Sequence, residues 1–353
     1  MSIIARPPLP EEDLEAVLAH TRDLWAEARG KSIFITGGTG FFGMWLLESF
    51  AHINDSLGLG AGAVVLTRNR AAFTAKAPHL ARRPDIELVD GDVRDFVFPP
   101  GRHDFIIHAA AETGAKPYEE TPREMLDAIV GGMRRVLEFA GHAGTRKLLL
   151  TSSGAVYGPQ PADVTRVPED FAGAADHPVS GSPYGQGKRM AEDLCAAHGG
   201  LHGLEVKIAR CFAFVGPHLP LDGHFAIGNF IGNALRGEPI EVGGDGTPYR
   251  SYLYAADLAA WLWVILFRGH PGRAYNVGSD ADDSILNHAR RVDEVRGGRG
   301  GVRVAREPVP GRPPSRYVPD IRRAQDELGL GVWTAESDGI RRTLAWLAPR
   351  GQG

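Results

Sequence analysis

The sequence predicts an α/β fold: a doubly wound parallel sheet with a smaller, intertwined C-terminal domain. Three observations lead to this prediction. Five short apolar segments, typical of buried strands, alternate with segments of helical spacing before residue 150. A glycine-rich turn joins the first strand to the first helix of this series. A further apolar segment begins near residue 206 and returns the chain to the sheet.

The composition is typical of a soluble globular protein, with 353 residues, 43% hydrophobic and 23% charged. The formal net charge of −4 offers no basic surface, so we expect no nucleic-acid partner. The longest apolar run, Leu258 to Phe267, is too short to span a membrane, and the N-terminus lacks a signal pattern, so we expect a cytoplasmic protein without a membrane partner. Cys195, Cys211 and the thirteen histidines form no metal-ligand spacing, so we predict no metal.

Residues 1–30 are predicted to form a helical extension ahead of the sheet. Apolar residues recur at roughly helical spacing between Glu11 and Arg29. They are Leu14, Val17, Leu18, Leu24 and Trp25. We expect this helix to pack against the body of the protein or a neighbouring subunit, without a catalytic role.

The first strand, Ile33 to Ile35, leads into the turn that organises the rest of the chain. The turn reads Thr-Gly-Gly-Thr-Gly-Phe-Phe-Gly from Thr36 to Gly43, and a segment of helical spacing follows it. Glycines let such a turn approach a pyrophosphate, and the helix behind it presents free N–H groups at the positive end of its dipole. An ordinary strand-to-helix turn is the alternative. We predict a dinucleotide site formed by Gly37, Thr39, Gly40, Phe41, Phe42 and Gly43.

This turn resembles the cofactor loop of the extended short-chain dehydrogenase/reductase family, the NAD-dependent epimerases and dehydratases, whose members mostly modify nucleotide sugars. By its motifs, the resemblance extends from about Lys31 to Leu347. It implies a Rossmann domain over residues 31–205 and a mainly substrate-binding lobe over residues 206–353, with strands that return to the sheet.

The end of the second strand, Ala63 to Leu66, indicates which dinucleotide binds. In the NAD-binding version of this fold, an acidic residue at that end bonds the ribose 2′-hydroxyl. The residues from Thr67 to Arg70 include no carboxylate and two arginines. Because Arg suits a 2′-phosphate through charge-assisted hydrogen bonds, we predict NADP held by Arg68, with NAD as the alternative.

Three more strands are predicted at Ile86–Val89, Phe105–His108 and Lys147–Leu150. The resemblance implies that Asp92 and Val93, after the first of these, contact the adenine; for Asp92 an acidic loop cap is the alternative. It also implies that small residues after the next strand let the backbone lie against the dinucleotide. These are Ala109, Ala110 and Ala111.

Catalytic residues are predicted beyond the carboxyl end of the fifth strand, where ligands of such sheets bind. Tyr184 and Lys188 are four residues apart in a helical segment and so share one face of it. A free phenol has a pKa of about 10, and a neighbouring ammonium lowers it, so we predict that Tyr184 is a general acid/base activated by Lys188. The resemblance implies that Lys188 also bonds the nicotinamide ribose and that Ser153 orients the reacting oxygen. Ser152 is the competitor and is expected to bond backbone.

The two residues after Ser153 narrow the reaction. In the resembled family, sugar 4,6-dehydratases carry an Asp-Glu pair there and uronate decarboxylases carry a Glu at the second position. This chain has Gly154 and Ala155. Elimination needs an acid and a base beyond the tyrosine, so the elimination and decarboxylation branches are disfavoured. Reduction of a ketone or epimerisation remains, since Ser, Tyr and Lys suffice to move a hydride and a proton.

The C-terminal part contains three candidate substrate residues. The resemblance implies that Asn229 meets nucleotide phosphates at a helix start, and that Arg250 and Arg316 bind the diphosphate, Arg250 with its planar fork. A surface or capping role is the alternative for each. Ala213 stands where the family usually has an Asn that contacts the substrate.

Three other features of this part are predicted to be structural. Tyr275 to Gly278 reads as a late strand. Asp257 is expected to be a structural acid near a helix start. The Gly- and Arg-rich stretch from Val292 to Arg303 is expected to be a mobile surface segment.

We therefore predict a nucleotide-sugar oxidoreductase, an NADP(H)-dependent reductase of an NDP-4-keto-6-deoxyhexose. The alternative is an NDP-sugar 4-epimerase, or a decarboxylase or dehydratase, that retains its cofactor. A non-catalytic dinucleotide sensor is the remote alternative, but such a protein is expected to lack Tyr184 or Lys188, and both are present. The resemblance also implies a homodimer.

Overall fold

The structure, a computed structural model, describes residues 5–110, 122–173, 182–223 and 225–348. Its strands are β1 (Ser32–Thr36), β2 (Gly62–Thr67), β3 (Ile86–Asp90), β4 (Phe105–His108), β5 (Lys147–Ser153), β6 (Glu205–Cys211), β7 (Phe214–Val215), β8 (Ile240–Val242), β9 (Tyr249–Arg250), β10 (Leu253–Tyr254), β11 (Ala274–Val277), β12 (Asp283–Ser284), β13 (Val302–Val304) and β14 (Arg316–Tyr317). Its α-helices are α1 (Glu11–Thr21), α2 (Phe41–Leu57), α3 (Arg70–Lys76), α4 (Pro78–Ala81), α5 (Pro122–Leu126), α6 (Gly132–His142), α7 (Pro183–His202), α8 (Ala226–Leu235), α9 (Ala255–Arg268), α10 (Ile285–Val295), α11 (Arg322–Leu328) and α12 (Glu336–Leu347). Two 3₁₀ helices cover Arg22–Ala28 and Gly154–Tyr157, and a π-helix covers Asp127–Gly131. None of the described helices combines the length and apolar character that crossing a bilayer requires.

Seven strands form the main sheet in the order β3-β2-β1-β4-β5-β6-β11. The pairings from β3 through β6 are parallel. The hydrogen bonds from Ile208 N to Arg273 O and from Phe212 N to Val277 O advance in the same direction along β6 and β11. The predicted doubly wound parallel sheet is therefore confirmed. Because the strand order reverses at β1, the carboxyl ends of β1 and β4 border the place where such sheets bind ligands.

The sheet is buried on both faces, which explains why its strands read as continuous apolar runs in the sequence. Every residue of β4 and β5 is buried. Phe34 of β1 packs against Phe139 of α6, with ring centroids 4.6 Å apart, and against Phe96, at 5.5 Å. This aromatic cluster joins the helix α6 to the centre of the sheet.

The N-terminal extension packs on the sheet-bearing part of the chain, and its apolar face is buried as predicted. The α-helix is shorter than predicted, because it ends at Thr21 and continues as the 3₁₀ helix to Ala28. Trp25 is fully buried edge-on to Trp263, with ring centroids 4.8 Å apart, and its indole N–H donates to Thr21 Oγ1 at 3.0 Å. The extension is therefore part of the core.

The chain divides into two compact units. The first comprises Met1–Gly158, Asp176–Cys211 and Ala259–Tyr275. The second comprises Pro159–Ala175, Phe212–Leu258 and Asn276–Gly353. The predicted parts, 1–30, 31–205 and 206–353, are drawn by function, and their functional assignment stays a prediction.

The expected mobile segment from Val292 to Arg303 has more regular structure than predicted. Val292 is buried within α10, and β13, which begins at Val302, pairs in parallel with β8. Between them, Asp293 Oδ1 accepts from Arg296 Nε at 2.8 Å and from the backbone N of Gly301 at 3.2 Å. The glycines and arginines thus form an ordered turn around one carboxylate.

Candidate active site

Two glycines of the turn after β1 are required by close backbone packing. Gly37 has φ 73°, and a Cβ placed on it would lie 2.5 Å from the carbonyl carbon of Ala109. A Cβ on Gly43 would lie 2.3 Å from the backbone of Gly38. Sequence reasoning missed a third close approach in this turn. A Cβ on Gly38 would lie 2.6 Å from Val65 Cγ1. The turn therefore presses against both the strand β2 and the turn after β4.

Gly40 is different, because the described residues leave space beside it. Of these residues, a Cβ there would contact only the Gly37 carbonyl oxygen, at 3.4 Å. Gly40 is the N-cap of α2, a helix of 17 residues whose first turn receives no side-chain cap from the described residues. The N–H groups at the start of a helix, with the space that the described residues leave beside Gly40, fit the pyrophosphate of a dinucleotide.

The other predicted residues of this turn lie around that approach. Phe41 and Phe42 are half-buried, with ring centroids 5.7 Å apart. The carbonyl oxygen of Thr39 accepts a hydrogen bond from Lys76 Nζ at 2.8 Å. Burial lowers the pKa of Lys76, and Arg6 lowers it further. Lys76 lies at the end of α3, and no local motif marks it in the sequence.

The turn after β4 is tied to β1 by a buried histidine. His108 Nδ1 lies 2.7 Å from Thr36 Oγ1, which in turn accepts from Ala110 N at 3.2 Å. Complete burial lowers the pKa of His108 to about 3, helped by the charge of Lys188, so the imidazole is neutral. The Thr36 hydroxyl can then donate to Nδ1 while it accepts from Ala110. This network fixes the predicted residues Ala109 and Ala110 beside Gly37; the predicted Ala111 lies outside the described residues.

The end of β2 carries two arginines and no carboxylate. Carboxylates lie at the neighbouring end of β3 and just after it. Arg68 is exposed. Arg70 Nε lies 3.1 Å from Asp90 Oδ2 at the end of β3. Asp92 accepts from the backbone N of Arg94 at 3.0 Å and from its Nε at 2.7 Å. These Arg94 hydrogen bonds, with a smaller effect from Arg68, lower the pKa of Asp92. The carboxylate of Asp92 therefore has the loop-capping contacts that were the alternative to an adenine contact.

Val93, predicted with Asp92, has a packing role in the described structure. A Cβ on Gly132 would lie 2.9 Å from Val93 Cγ1, so the start of α6 approaches this side chain closely. Val93 also packs against the main hydrophobic core.

The predicted catalytic residues come together in the first unit. Ser153 ends β5, and its Oγ accepts from Ala155 N at 3.2 Å. Tyr184 and Lys188 lie on α7, and Lys188 Nζ is 5.8 Å from the centroid of the Tyr184 ring. A Cβ on Gly185 would lie 2.4 Å from Ala155 O, so the first turn of α7 packs directly on the turn that follows Ser153. Sequence reasoning missed Gly185.

The ammonium of Lys188 is buried and has spare hydrogen-bonding capacity. Within the described part of the chain, one hydrogen bond uses it, from Nζ to Thr151 O at 2.8 Å. An ammonium has three donors, so the others can serve a bound ligand and the phenol. Burial lowers the pKa of Lys188 to about 8, against opposing effects of Cys211, Glu192 and Cys195. A positive charge this near a phenol favours the ionised form of the phenol.

Ser152 does not bond backbone as expected. Its hydroxyl donates to Glu192 Oε1 on α7, in the interior of the first unit. Ser153 Oγ lies at the strand end, and its role in orienting a substrate oxygen stays a prediction.

The candidate substrate residues lie in the second unit, and Asn229 is already engaged there. Its Nδ2 donates to Gly223 O at 2.9 Å, and its Oδ1 accepts from Gly223 N at 3.3 Å. This reciprocal pair braces the loop ahead of α8. Ala213, at the position of the family's Asn, offers its carbonyl oxygen to Leu253 N at 3.0 Å.

Arg250 and Arg316 differ in how far the chain compensates their charges. Arg250 donates Nη1 to Tyr249 O at 2.7 Å, and no carboxylate of the described residues lies within ion-pair distance of it. Burial lowers the pKa of Arg250. Arg316 Nη1, in contrast, donates to Asp282 Oδ2 at 2.7 Å. Arg250 is therefore the guanidinium that a phosphate would compensate.

The two arginines also point to opposite faces of a small sheet, in the order β12-β9-β14. Arg316 pairs with Tyr249 and Tyr317 pairs with Arg250 across the parallel strands β9 and β14. Cross-strand partners share a face and consecutive residues alternate, so Arg250 and Arg316 diverge. The ring contacts agree: Arg316 Cζ lies 4.1 Å from the Tyr249 ring centroid, and Arg250 Cζ lies 5.9 Å from that of Tyr317.

Asp257 is structural, although it does more than start a helix. Its Oδ2 accepts from the backbone N of Trp333 and of Thr334, each at 2.9 Å, and its Oδ1 accepts from Thr334 Oγ1. It therefore fixes the segment ahead of α12. Among the described residues, no group of three or more His, Cys, Asp or Glu side chains could hold a metal ion.

The parallel sheet, its glycine-rich turn and the paired Tyr184 and Lys188 define an enzyme of the short-chain dehydrogenase/reductase type. The family model described as NAD dependent epimerase/dehydratase matches residues 33–278, and the chain belongs to this family. The resemblance stated from the motifs is thereby confirmed.

The names of similar proteins in the family refer to nucleotide sugars. UDP-glucuronic acid decarboxylase 1 of Xenopus tropicalis is 30% identical over 322 residues, covering 90% of this chain and 72% of the relative. UDP-glucuronic acid decarboxylase 3 of Arabidopsis thaliana is 31% identical over 300 residues, covering 84% and 83%. The solved structure of the UDP-glucose 4-epimerase of Thermotoga maritima, with UDP-glucose, has a TM-score of 0.73 at 21% identity, covering 89% of this chain and 98% of that one. At this identity the structural likeness shows the fold alone.

Proposed function

We propose that this enzyme transfers a hydride at C4 of a nucleotide diphosphate sugar, and that it reduces or epimerises this carbon. A bound nicotinamide would supply or accept the hydride. The observation that carries the proposal is the packing of the first turn of α7, with Tyr184, against the turn after Ser153, one helical turn from the buried ammonium of Lys188. The decarboxylases among the relatives support a nucleotide sugar as the substrate class.

The side chains have separate roles in this reaction. Tyr184 gives a proton to the carbonyl oxygen during reduction, and as phenolate it removes the hydroxyl proton in the reverse direction. Lys188 holds a positive charge beside the phenol and offers its remaining donors to the ribose of the cofactor. Ser153 Oγ, at the strand end, donates to the reacting oxygen and orients it.

Ala155 favours reduction or epimerisation over reactions that need another acid or base. Two other buried ionisable groups of this region, Glu192 and His108, are already engaged. Arg210 Nη2 donates to Glu192 at 2.7 Å, and Thr36 Oγ1 lies 2.7 Å from His108 Nδ1. Glu192 and His108 are therefore not available as the additional acid and base that elimination of water requires.

Reduction of an NDP-4-keto-6-deoxyhexose is the first candidate, as the sequence predicts, and 4-epimerisation with a retained cofactor is its alternative. Decarboxylation of a UDP-uronic acid is a second candidate, favoured by relatives 30% identical over 90% of this chain. A ketone at C4 places the C5 carboxylate β to a carbonyl, from which carbon dioxide is lost readily. Such a reaction would proceed here without a carboxylate at residue 155.

Incubation with three substrates separates these reactions. The purified enzyme is given UDP-glucose, UDP-glucuronic acid or dTDP-4-keto-6-deoxyglucose, and the products are followed by proton NMR together with NADPH absorbance. Reduction consumes one NADPH for each sugar, epimerisation gives a C4 epimer without net consumption, and decarboxylation releases carbon dioxide. Release of carbon dioxide from UDP-glucuronic acid as the fastest reaction would contradict the proposal. Tyr184→Phe is the control, because it removes the acid/base group and should abolish all three reactions.

Arg250 is our candidate for recognition of the diphosphate. Its guanidinium is half-buried, and no carboxylate of the described residues compensates its charge. An anion that binds there would therefore compensate the hydration that the guanidinium loses on burial. Arg316 and Asn229 stay candidates, although Asp282 and Gly223 already occupy them.

We also propose that NADP is the preferred cofactor, with Arg68 on its 2′-phosphate; NAD is the cofactor in the family's name. The support is the exposure of Arg68 at the end of β2 and the lack of a carboxylate from Thr67 to Arg70. Calorimetric titration with NADPH and NADH tests it. Loss of one charged hydrogen bond changes binding by about tenfold or more, so Arg68→Ser should weaken NADPH by that factor and leave NADH unchanged. Tighter binding of NADH by the unmodified enzyme would refute the preference.

A cytoplasmic homodimer is the remaining proposal. The homodimer is supported by the family resemblance, and light scattering after size-exclusion chromatography tests it. Cell fractionation tests the location. A monomeric mass at micromolar concentration would contradict the dimer.

A further inference from the structure

A buried network of polar and charged side chains lies directly behind the catalytic residues, within the first unit. Glu192 lies on α7 one turn after Lys188, and Arg210 lies on β6. Arg210 donates Nη2 to Glu192 Oε2 at 2.7 Å, Nε to the same carboxylate at 3.1 Å, and Nη1 to Tyr157 OH at 2.9 Å. Glu192 Oε1 also accepts from the Ser152 hydroxyl. The network thus joins β5, β6 and α7.

The strand register places this network one residue from the catalytic serine. Ser152 pairs with Arg210 and Ser153 pairs with Cys211 across β5 and β6. Each end of the network therefore touches an element that carries a catalytic residue: β5 carries Ser153, and α7 carries Lys188.

Glu192 is the source of negative charge among the groups that face Lys188. These groups are Glu192 and Cys195 from α7, Cys211 from β6 and His108 from β4. Burial raises the pKa of both cysteine thiols, that of Cys211 to about 12, and lowers that of His108 to about 3, so these three are neutral near pH 7. The Glu192 carboxylate accepts from the Arg210 guanidinium and from the Ser152 hydroxyl.

Arg210 compensates much of that negative charge. Although burial opposes it, the hydrogen bonds and charge of Glu192 raise the pKa of Arg210, so its guanidinium stays protonated. A buried ion pair adds little net stability over apolar side chains of the same volume. Its place beside a catalytic ammonium therefore suggests another role.

We propose that Glu192 and Arg210 are positioning residues that set the charge balance at Lys188 and hold the ends of β5 and β6 against α7. Arg210 weakens the attraction between Glu192 and the Lys188 ammonium, which leaves the positive charge of the lysine to act on the phenol of Tyr184. This rests on the proposed function, in which Lys188 activates Tyr184.

The test is a direct titration of Lys188 that needs neither substrate nor turnover. The chain has six lysines, so the ¹³Cε signals of protein labelled with ¹³C-lysine can be assigned, that of Lys188 by its loss in Lys188→Arg. Arg210→Met exposes Lys188 to an uncompensated Glu192 and should raise the lysine pKa. Glu192→Gln leaves an uncompensated Arg210 and should lower it. Each change should alter the protonation equilibrium by about tenfold, as a unit charge does at several ångströms in a partly screened interior.

The opposite directions are what distinguish this role from a merely structural one. Loosening and hydrating the cluster would move the pKa upward, toward its ordinary value, in both variants. Arg210→Lys keeps the charge and should keep the original titration. The matched control is Arg296→Met, which breaks a 2.7 Å arginine–carboxylate contact with Asp293 in the second unit and should leave Lys188 unchanged.

A third variant keeps the proposal testable if Arg210→Met fails to fold by circular dichroism. Ser152→Ala removes only a neutral donor from Glu192 and should still raise the pKa of Lys188, by a smaller factor. Shifts of Arg210→Met and Glu192→Gln in the same direction, or no shift beyond that of the control, would overturn the proposal. Because the titration is made without a sugar, its result is independent of whether the proposed reaction is correct.

Discussion

Gly185→Ala tests the packing that brings Tyr184 beside the turn after Ser153. The new Cβ would lie 2.4 Å from Ala155 O and 3.1 Å from its carbonyl carbon. A carbon and a carbonyl oxygen need at least ~3.3 Å, so α7 or the turn has to move by about 1 Å. Such overpacking costs about 1–3 kcal/mol.

Gly200→Ala in the same helix is the matched control. In the part of the chain that the structure describes, nothing lies within 4 Å of a Cβ at that position, so the substitution should only gain helix propensity, about 0.5–1 kcal/mol. The propensity gain is common to both variants, so their difference measures the overpacking alone, about 1–3 kcal/mol.

Calorimetry and kinetics together read out this difference. The Tm of Gly185→Ala should be below that of Gly200→Ala by about 1–4 °C. Because misplacement by about 1 Å can reduce a rate by ~100-fold, kcat should fall sharply for Gly185→Ala and stay unchanged for Gly200→Ala. Equal Tm and equal kcat in the two variants would show that α7 does not press on the turn as the structure has it.

Three further predictions concern single side chains. Tyr184→Phe should abolish hydride transfer while NADPH still binds in calorimetry; near-normal turnover would end the acid/base assignment. Arg250→Met should raise KM for the nucleotide sugar by about tenfold or more with little change in kcat, because a charged hydrogen bond contributes ~1.5–3 kcal/mol. Arg316→Met should raise KM less, and the reverse order would refute the assignment of the diphosphate to Arg250. The pKa of His108 is about 3 when folded and rises to its ordinary value of 6.5 on unfolding, so the unfolded chain binds the extra proton and stability falls as pH drops from 6.5 toward 3. His108→Gln should remove up to ~1.4 kcal/mol per pH unit of that slope in urea unfolding, and an unchanged slope would contradict a buried neutral imidazole.

The sheet was predictable because its signals are local. Each predicted strand of the sheet, from Ile33–Ile35 to Tyr275–Gly278, corresponds to a strand of the structure, since a buried parallel strand needs an apolar run whatever surrounds it. The glycine-rich turn was predictable for the same reason, because its signal also lies in a few adjacent residues. The extent of α1 did not, because the Thr21 hydroxyl donates to Val17 O and accepts from Trp25, where the α-helix gives way to a 3₁₀ turn.

Residue types at the candidate site were predictable, but their partners were not. The spacing of Tyr184 and Lys188 placed them on one face of α7, and the structure brings them within 5.8 Å. Nothing near Arg316 in the sequence points to Asp282, 34 residues away, or pairs Arg210 with Glu192. Those contacts depend on which strands become neighbours.

The sequence by itself determined the class of fold, the glycine-rich turn and the pairing of Tyr184 with Lys188 that we propose as the acid/base group, because each depends on the spacing of a few adjacent residues. Only the tertiary structure decided which charges are compensated. Asp90 lies against Arg70 and Asp282 lies against Arg316, whereas Arg250 has no carboxylate partner among the described residues. The physical reason is that an electrostatic interaction depends on distance and burial, and the folded sheet sets both for groups far apart in the chain.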